Sequence, residues 1–309
     1  MNLKDKFIGT ILGVAIGDAL GAPVEGLSEE EIKNRYGKII DFTEAPDKNL
    51  KKGEWTDDTA MTLAILEALV ENGFFDVHSV IEKFLKWFNT NPKGIGNTTF
   101  NSLYFLDQGY SYDIASRMAE TEYSAGNGAA MRVAPLALFN YKNKIENLVQ
   151  DIIDTSFITH SNNLAISGAI ATGLVIYFNL HNNEKSKLLN FLISEAKEFL
   201  KDEELIFTIK NIPNLKFQDI RNEGYILRTL ESSLWIFLNT QSFEEAVLTA
   251  INKGDDSDTV GAITGAFAGS FYGFNNISKK FLKNLKRADY IINLAEKLFE
   301  ISVNDAIYF

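Results

Sequence analysis

Apolar residues recur along this chain with a helical period. Between Thr59 and Val70 they fall at Met61, Leu63, Ala64, Ile65, Leu66, Leu69 and Val70, and Gly73 follows as a C-cap. Comparable windows lie at 76–90, 127–140, 145–158, 163–181, 184–200, 225–239, 243–252, 259–273 and 286–303. Strand-like alternation bounded by turn dipeptides is scarce, and no Asn-Gly stands between two alternating runs. The pattern predicts an all-α protein of about a dozen helices. No Pro/Gly/Ser-rich linker interrupts it, so 1–309 reads as a single domain. The segment 201–223, with clustered acids and Pro213, is the stretch expected to be irregular.

Two glycine ladders stand out within this pattern. Gly9, Gly13, Gly17 and Gly21 fall every four residues, as do Gly261, Gly265, Gly269 and Gly273. A spacing of four places each set along one ridge of a helix. Glycine costs roughly 1 kcal/mol per helical position relative to alanine, and close helix–helix approach is the compensation expected. If the two helices pack antiparallel, Asp18 and Glu25 after the first ladder meet Asp255, Asp256 and Asp258 before the second.

Composition narrows the function classes. Acidic residues outnumber basic ones 41 to 30, for a net charge of −11. That balance argues against a general affinity for nucleic acid or anionic membrane, both of which need dense Lys and Arg. The absence of cysteine removes disulfides, thiolate nucleophiles and thiolate metal sites, and suits a reducing cytoplasm. Lys4 and Lys6 ahead of the apolar run Phe7–Gly17 and of Ala19-Leu20-Gly21-Ala22 mimic a signal peptide, but Asp18 interrupts the imitation. No run reaches the roughly 18 consecutive apolar residues of a membrane-spanning helix. There is no heptad seam, and a monomer is the expected state.

Candidate chemistry sits at two predicted helix starts. Trp55-Thr56-Asp57-Asp58-Thr59 opens one of them. Thr or Asp there can act as an N-cap, yet one cap suffices and adjacent carboxylates flanked by hydroxyls exceed the need. Asp255-Asp256-Ser257-Asp258-Thr259 opens the second ladder helix. It resembles the start of a calcium loop but lacks Gly at the sixth position and Glu at the twelfth. Three acids in four residues repel one another unless a cation or solvent relieves them. With Glu25 the donor inventory is oxygen-only, which suits Mg²⁺ or Mn²⁺ and disfavours zinc. Ser124-Ala125-Gly126-Asn127-Gly128 leads into an apolar helix, so it reads either as an ordinary turn or as a phosphate cradle of backbone N–H groups. His160, in Ile158-Thr159-His160, lies at a helix junction; a lone histidine is more often structural than catalytic.

Taken in order, these segments resemble the ADP-ribosylglycohydrolase family. The resemblance is carried by Gly13–Glu25, Trp55–Thr62, Gly96–Thr99, Gly126–Pro135, Ile158–His160 and Gly254–Gly273. It implies an all-α fold with a binuclear Mg²⁺ or Mn²⁺ centre at the bottom of a cleft, and cleavage of ADP-ribose from an acceptor. Carried over by position, the resemblance makes Thr56, Asp57, Asp58, Asp256, Asp258 and Thr259 the metal ligands. Glu25, Asp57 and Asp58 become the candidates to deprotonate a water. Ser124, Gly126, Asn127 and Gly128 would hold the diphosphate, His160 would line the cleft, and Tyr225 would pack near the adenine. The implied substrate is a mono-ADP-ribosylated protein side chain, arginine mildly favoured, with ADP-ribose as product. The alternative is a non-catalytic ADP-ribose- or partner-binding relative, crystallin-like or an antitoxin that works by occlusion.

The chain also departs from the family pattern. Gly94 stands where arginine-specific members carry an Asp toward the acceptor side, and Ser161-Asn162-Asn163 follows His160 where a second His is found. Asp255 replaces a common Gly. Acceptor specificity is expected in the loops 40–54, 93–125 and 201–223.

Overall fold

The computed structural model describes residues 2–303 apart from Lys93, Tyr123 and Asn183; the first two of these fall in the stretch 93–125, expected to be loop but mostly forming the helices Asn97–Asp107 and Tyr112–Ala119. Helices account for the regular structure among the described residues, with only isolated β-bridges besides. The first half contains α1 (Leu3–Gly21), α2 (Glu29–Tyr36), α3 (Asp57–Asn72), α4 (Val77–Phe88), α5 (Asn97–Asp107), α6 (Tyr112–Ala119), α7 (Ala134–Phe139) and α8 (Ile145–Phe157). The second half contains α9 (Asn163–His181), a single turn α10 (Leu188–Asn190), α11 (Glu203–Asn211), α12 (Ile226–Asn239), α13 (Phe243–Ile251), α14 (Ser257–Tyr272), α15 (Lys279–Asn284) and α16 (Ala288–Val303).

The glycine ladders meet as expected. A Cβ added at Gly13 would lie 2.0 Å from the Gly265 carbonyl oxygen, one at Gly17 2.0 Å from that of Gly261, and one at Gly9 2.7 Å from that of Gly269. The pairing runs in opposite directions along α1 and α14, so the helices are antiparallel and touch backbone to backbone. The end of α1 therefore lies at the start of α14, where Ser257 Oγ donates to the Gly21 carbonyl at 2.9 Å. Helices α3, α7, α9, α13 and α16 pack around α1. Residues Asp5 to Gly21 are all buried, which explains why α1 is apolar on every side. Two helical stretches, Leu3–Val24 and Asn163–His181, are long and apolar enough to span a membrane, but they lie 100% and 78% buried inside the fold.

Several expectations needed correction. Helix α2 carries almost no apolar stripe, burying only Ile32, and is started instead by a capping box between Ser28 and Glu31. The 201–223 segment is not wholly irregular, since Asp202 caps the regular helix α11. The window 184–200 breaks into short turns, including a π-turn at Phe191–Glu195. The window 127–140 holds a 3₁₀ turn at Ala130–Arg132 before α7, which opens on Ala134 with Pro135 in its first turn.

Candidate active site

Asp18 is the residue that organises the site. It is fully buried near the end of α1 and reaches across to the start of α3. Its carboxylate accepts from the Thr56 N–H at 2.9 and 3.0 Å, the Thr59 N–H at 3.0 Å, the Thr56 hydroxyl at 2.9 Å and the Thr59 hydroxyl at 2.5 Å. The Thr56 and Thr59 N–H groups at the α3 N-terminus are thus satisfied from outside the helix, and Thr56 makes no side-chain cap of its own. Asp57 and Asp58 are left free of capping duty. Sequence reasoning missed this role, although a lone acid inside Gly13-Val14-Ala15-Ile16-Gly17-Asp18 must be buried and must find donors.

The two acidic helix starts converge. Asp58 Oδ2 accepts from Thr56 Oγ1 at 3.5 Å and from Thr259 Oγ1 at 3.4 Å, so it bridges α3 and α14, and its Oδ1 is buried without a partner. Asp256 accepts from Asn127 Nδ2 at 2.6 Å, and the same amide donates to Thr229 Oγ1 at 2.9 Å. Glu25 stands at the rim, paired with Lys48 at 3.3 Å. Burial pushes Asp18 up to about 6 and Asp57 up to about 7, with repulsion from Asp18, Glu25 and Asp256 adding to the latter. Asp58, Asp256 and Asp258 are also raised, chiefly by burial and further by neighbouring carboxylates. So dense a knot of buried acids calls for a positive counter-charge.

A cleft of about 1300 Å³ opens over this knot, walled by Glu25, Asp57, Asp256, Asp258 and Thr259 on one side and by Gly126, Asn127, Gly128 and His160 on the other. Tyr225 and the glycine loop are tied backbone to backbone: the Asn127 N–H donates to the Gly224 carbonyl and the Ile226 N–H to that of Ala125, both at 3.0 Å. His160 is buried beneath the loop, where a Cβ at Gly128 would come within 2.9 Å of its ring. Glycine is required there by space. A second cavity of about 630 Å³, with Trp55, Trp87 and Glu54 in its wall, shares Glu25, Asp57 and Gly94 with the first. Gly94 has φ +77°, and a Cβ there would face Asp57 Oδ1 at 3.9 Å.

The other candidates are placed differently. Thr56 opens on the second cavity, and Asp58 lies beneath the cleft floor. The Ser124 hydroxyl is occupied within its own turn, accepting from the Thr121 N–H at 2.6 Å. Tyr225 is 37% exposed at the rim, and its hydroxyl donates to Glu204 at 3.3 Å. Among the described residues, no three Asp, Glu or His side chains converge tightly enough to form a ready-made metal cluster.

An all-helical fold with acidic helix starts facing a glycine loop across a deep cleft defines a class. The chain matches the ADP-ribosylglycohydrolase family over residues 1–306, and it is a member of that family and a glycosidic-bond hydrolase. It is 33% identical to the ADP-ribosylarginine hydrolase Tri1 of Serratia proteamaculans, over 96% of this chain and 79% of that protein. It is 29% identical to the ADP-ribosyl-[dinitrogen reductase] glycohydrolase of Rhodospirillum rubrum, covering 92% of this chain and 91% of the relative. A solved structure titled ADP-ribosylglycohydrolase-related protein complex superimposes with a TM-score of 0.82 at 30% identity, covering 97% of this chain and 99% of its own.

Proposed function

We propose that this protein releases ADP-ribose from a mono-ADP-ribosylated protein side chain, with an arginine-linked conjugate the favoured substrate. The observation that carries the reading is the meeting of the two acidic helix starts, bridged by Asp58, opposite the Gly126–Gly128 loop. A relative matched over 79% of its own length is named for hydrolysis of ADP-ribosylarginine, which supports the acceptor. The second cavity joins the cleft at Asp57 and is where the acceptor would enter; Lys286 already lies over the Trp55 ring at 5.6 Å, which leaves Trp87 as the indole for a planar cation. A reducing cytoplasm, a monomeric state and independence from nucleic acid are part of the same proposal.

The site fits a hard divalent cation. Its donors are carboxylates and hydroxyls, Asp58 Oδ1 is orphaned, and the buried acids repel one another. Thr56, Asp57, Asp58, Asp256, Asp258 and Thr259 would hold two Mg²⁺ or Mn²⁺ ions. When bound, such ions polarise hydroxyls and lower the pKa of water. The chain's own residues do the rest. Asp57, which faces the junction of the two cavities, is suited to take a proton from an attacking water; Glu25 stands beside it at the rim. Asp58 is shut beneath the floor and acts by holding the two helix starts together. Positive charge developing at the anomeric carbon is stabilised by the surrounding carboxylates. The backbone of Gly126 and Gly128 lets a diphosphate approach closely, and Asn127 ties that loop to Asp256.

The test is release of free ADP-ribose from arginine- and serine-linked ADP-ribosyl peptides in Mg²⁺, Mn²⁺ and EDTA. Metal-dependent release from the arginine peptide is expected, and Asp256→Ala should abolish it, a loss of at least about a hundredfold, with helicity retained. No release from either peptide by a protein that binds ADP-ribose would replace this reading with the non-catalytic binder.

A further inference from the structure

Arg132 is the largest fully buried side chain, with 0% exposure, and among the described residues no carboxylate lies within ion-pair distance of it, Asp57 acting on it only from farther off. A buried guanidinium without an ion-pair partner is costly. Its contacts are a stack 4.8 Å over the Phe84 ring, a donor to the Thr155 carbonyl at 3.2 Å, one to Met61 Sδ at 3.6 Å, and one to Thr159 Oγ1 at 2.6 Å. Thr159 Oγ1 in turn lies 2.8 Å from His160 Nδ1. The other ring nitrogen of His160, Nε2, has no protein partner among the described residues and sits on the cleft wall beneath Gly126 and Gly128.

The protons along this chain can be assigned. An arginine only donates, so Thr159 Oγ1 must accept from it. Among the described residues the Thr159 hydroxyl has one partner left to receive its proton, His160 Nδ1, which must then carry a lone pair. The remaining ring proton is on Nε2, and it points into the cleft. We infer that Arg132 is a positioning residue that acts through Thr159 to lock His160 as its neutral Nε2–H tautomer, presenting a hydrogen-bond donor to a diphosphate oxygen of ADP-ribose. Burial and the adjacent guanidinium hold His160 down to about 3, so the ring stays neutral and this tautomer persists across the physiological range. The ligand half of the inference rests on the functional reading above; the relay half does not.

The experiment labels histidine with ¹⁵N and reads the tautomer from long-range proton–nitrogen correlations of the ligand-free protein at neutral pH. With three histidines in the chain, His160 is assigned by the signal lost in His160→Gln. The wild type should show a protonated Nε2 and an unprotonated Nδ1; a protonated Nδ1 would overturn the relay. In Arg132→Met the Thr159 hydroxyl is released to accept, so His160 should become a mixture of tautomers. Affinity for ADP-ribose, measured with Mg²⁺ present, should weaken roughly three- to tenfold, the worth of one hydrogen bond. Arg132→Lys, which keeps a cationic donor, should restore both readouts. A pure Nε2–H tautomer and unchanged affinity in Arg132→Met would sink the inference. A wild type that bound no ADP-ribose would overturn the functional reading and the ligand half together, while the ligand-free spectra still decide the relay.

Discussion

At the scale of single residues, the site divides into acids that hold structure and acids that face the cleft. Asp18 spends its carboxylate on the Thr56 and Thr59 backbone and hydroxyl donors, whereas Asp57, Asp256 and Asp258 line the cavity. The Thr56–Thr59 turn is therefore only as well placed as Asp18. Asp18→Asn keeps the shape but turns an N–H₂ group toward donors that need an acceptor. Groups that orient metal-binding residues typically contribute ten- to a hundredfold to affinity or activity. A fall in kcat/KM of about tenfold or more is expected, checked by steady-state release of ADP-ribose. Stability should change little, because removing a buried charge offsets the lost hydrogen bonds. Unchanged activity in a folded Asp18→Asn protein would return Asp18 to a purely structural role.

At the scale of elements, the glycine ladders bring those residues together. Seven of the eight ladder glycines remove a Cβ that would strike a carbonyl of the facing helix, so α1 and α14 approach until Asp18 and Asp258 belong to one site; the eighth, Gly273, is the C-cap of α14 at φ +74° and not part of the ridge. Gly17→Ala places a Cβ 2.0 Å from the Gly261 oxygen and forces the helices apart beside Asp18. Overpacking of this kind costs about 1–3 kcal/mol, only partly offset by the roughly 1 kcal/mol of helix propensity that alanine adds. A thermal melt should show a loss of a few degrees, and activity should fall by more than stability does; an unchanged melt would mean the helices can slide. The close approach of the two ladder helices and the placing of Asp57 and Asp258 at helix starts were legible in residue spacing; the antiparallel direction entered only as a condition, and the register came from the structure. Helix α2 was not, because its cause is the Ser28–Glu31 capping box and its only buried residue is Ile32. The break at Phe191–Glu195 was hidden because its apolar residues still follow a helical period. Asp18 meeting Thr56 and Arg132 meeting Thr159 were beyond sequence spacing, since each pair is joined only by the tertiary fold.

At the scale of the whole molecule, the chain combines a net charge of −11 with a knot of buried acids at the end of its central helix pair. The consequence for stability follows from the direction of their shifts. Asp18 titrates at about 6 and Asp57 at about 7, and Asp58, Asp256 and Asp258 are raised as well, burial being the leading cause for each. The folded state then holds protons that the unfolded chain, with ordinary values near 4, has already released. The stability these groups contribute is present below that ordinary value and is lost as pH rises toward 7. A divalent cation bound to the ionised carboxylates reverses the loss, and more strongly as more of them ionise. Asp151, also raised to about 6, and His160, lowered to about 3, lie outside the acid knot and contribute equally with and without the ion. They drop out of a difference. The expected result is a gap between the melting temperatures in Mg²⁺ and in EDTA that widens from pH 5 to 7. It should reach on the order of 5 °C when the ion is at a hundredfold excess over its dissociation constant. Asp58→Asn, which neutralises the bridge between the two helix starts, should raise the melting temperature in EDTA at pH 7 and shrink the gap. A gap that is absent, or that stays constant across this range, would mean that the acids are not neutralised by a bound cation.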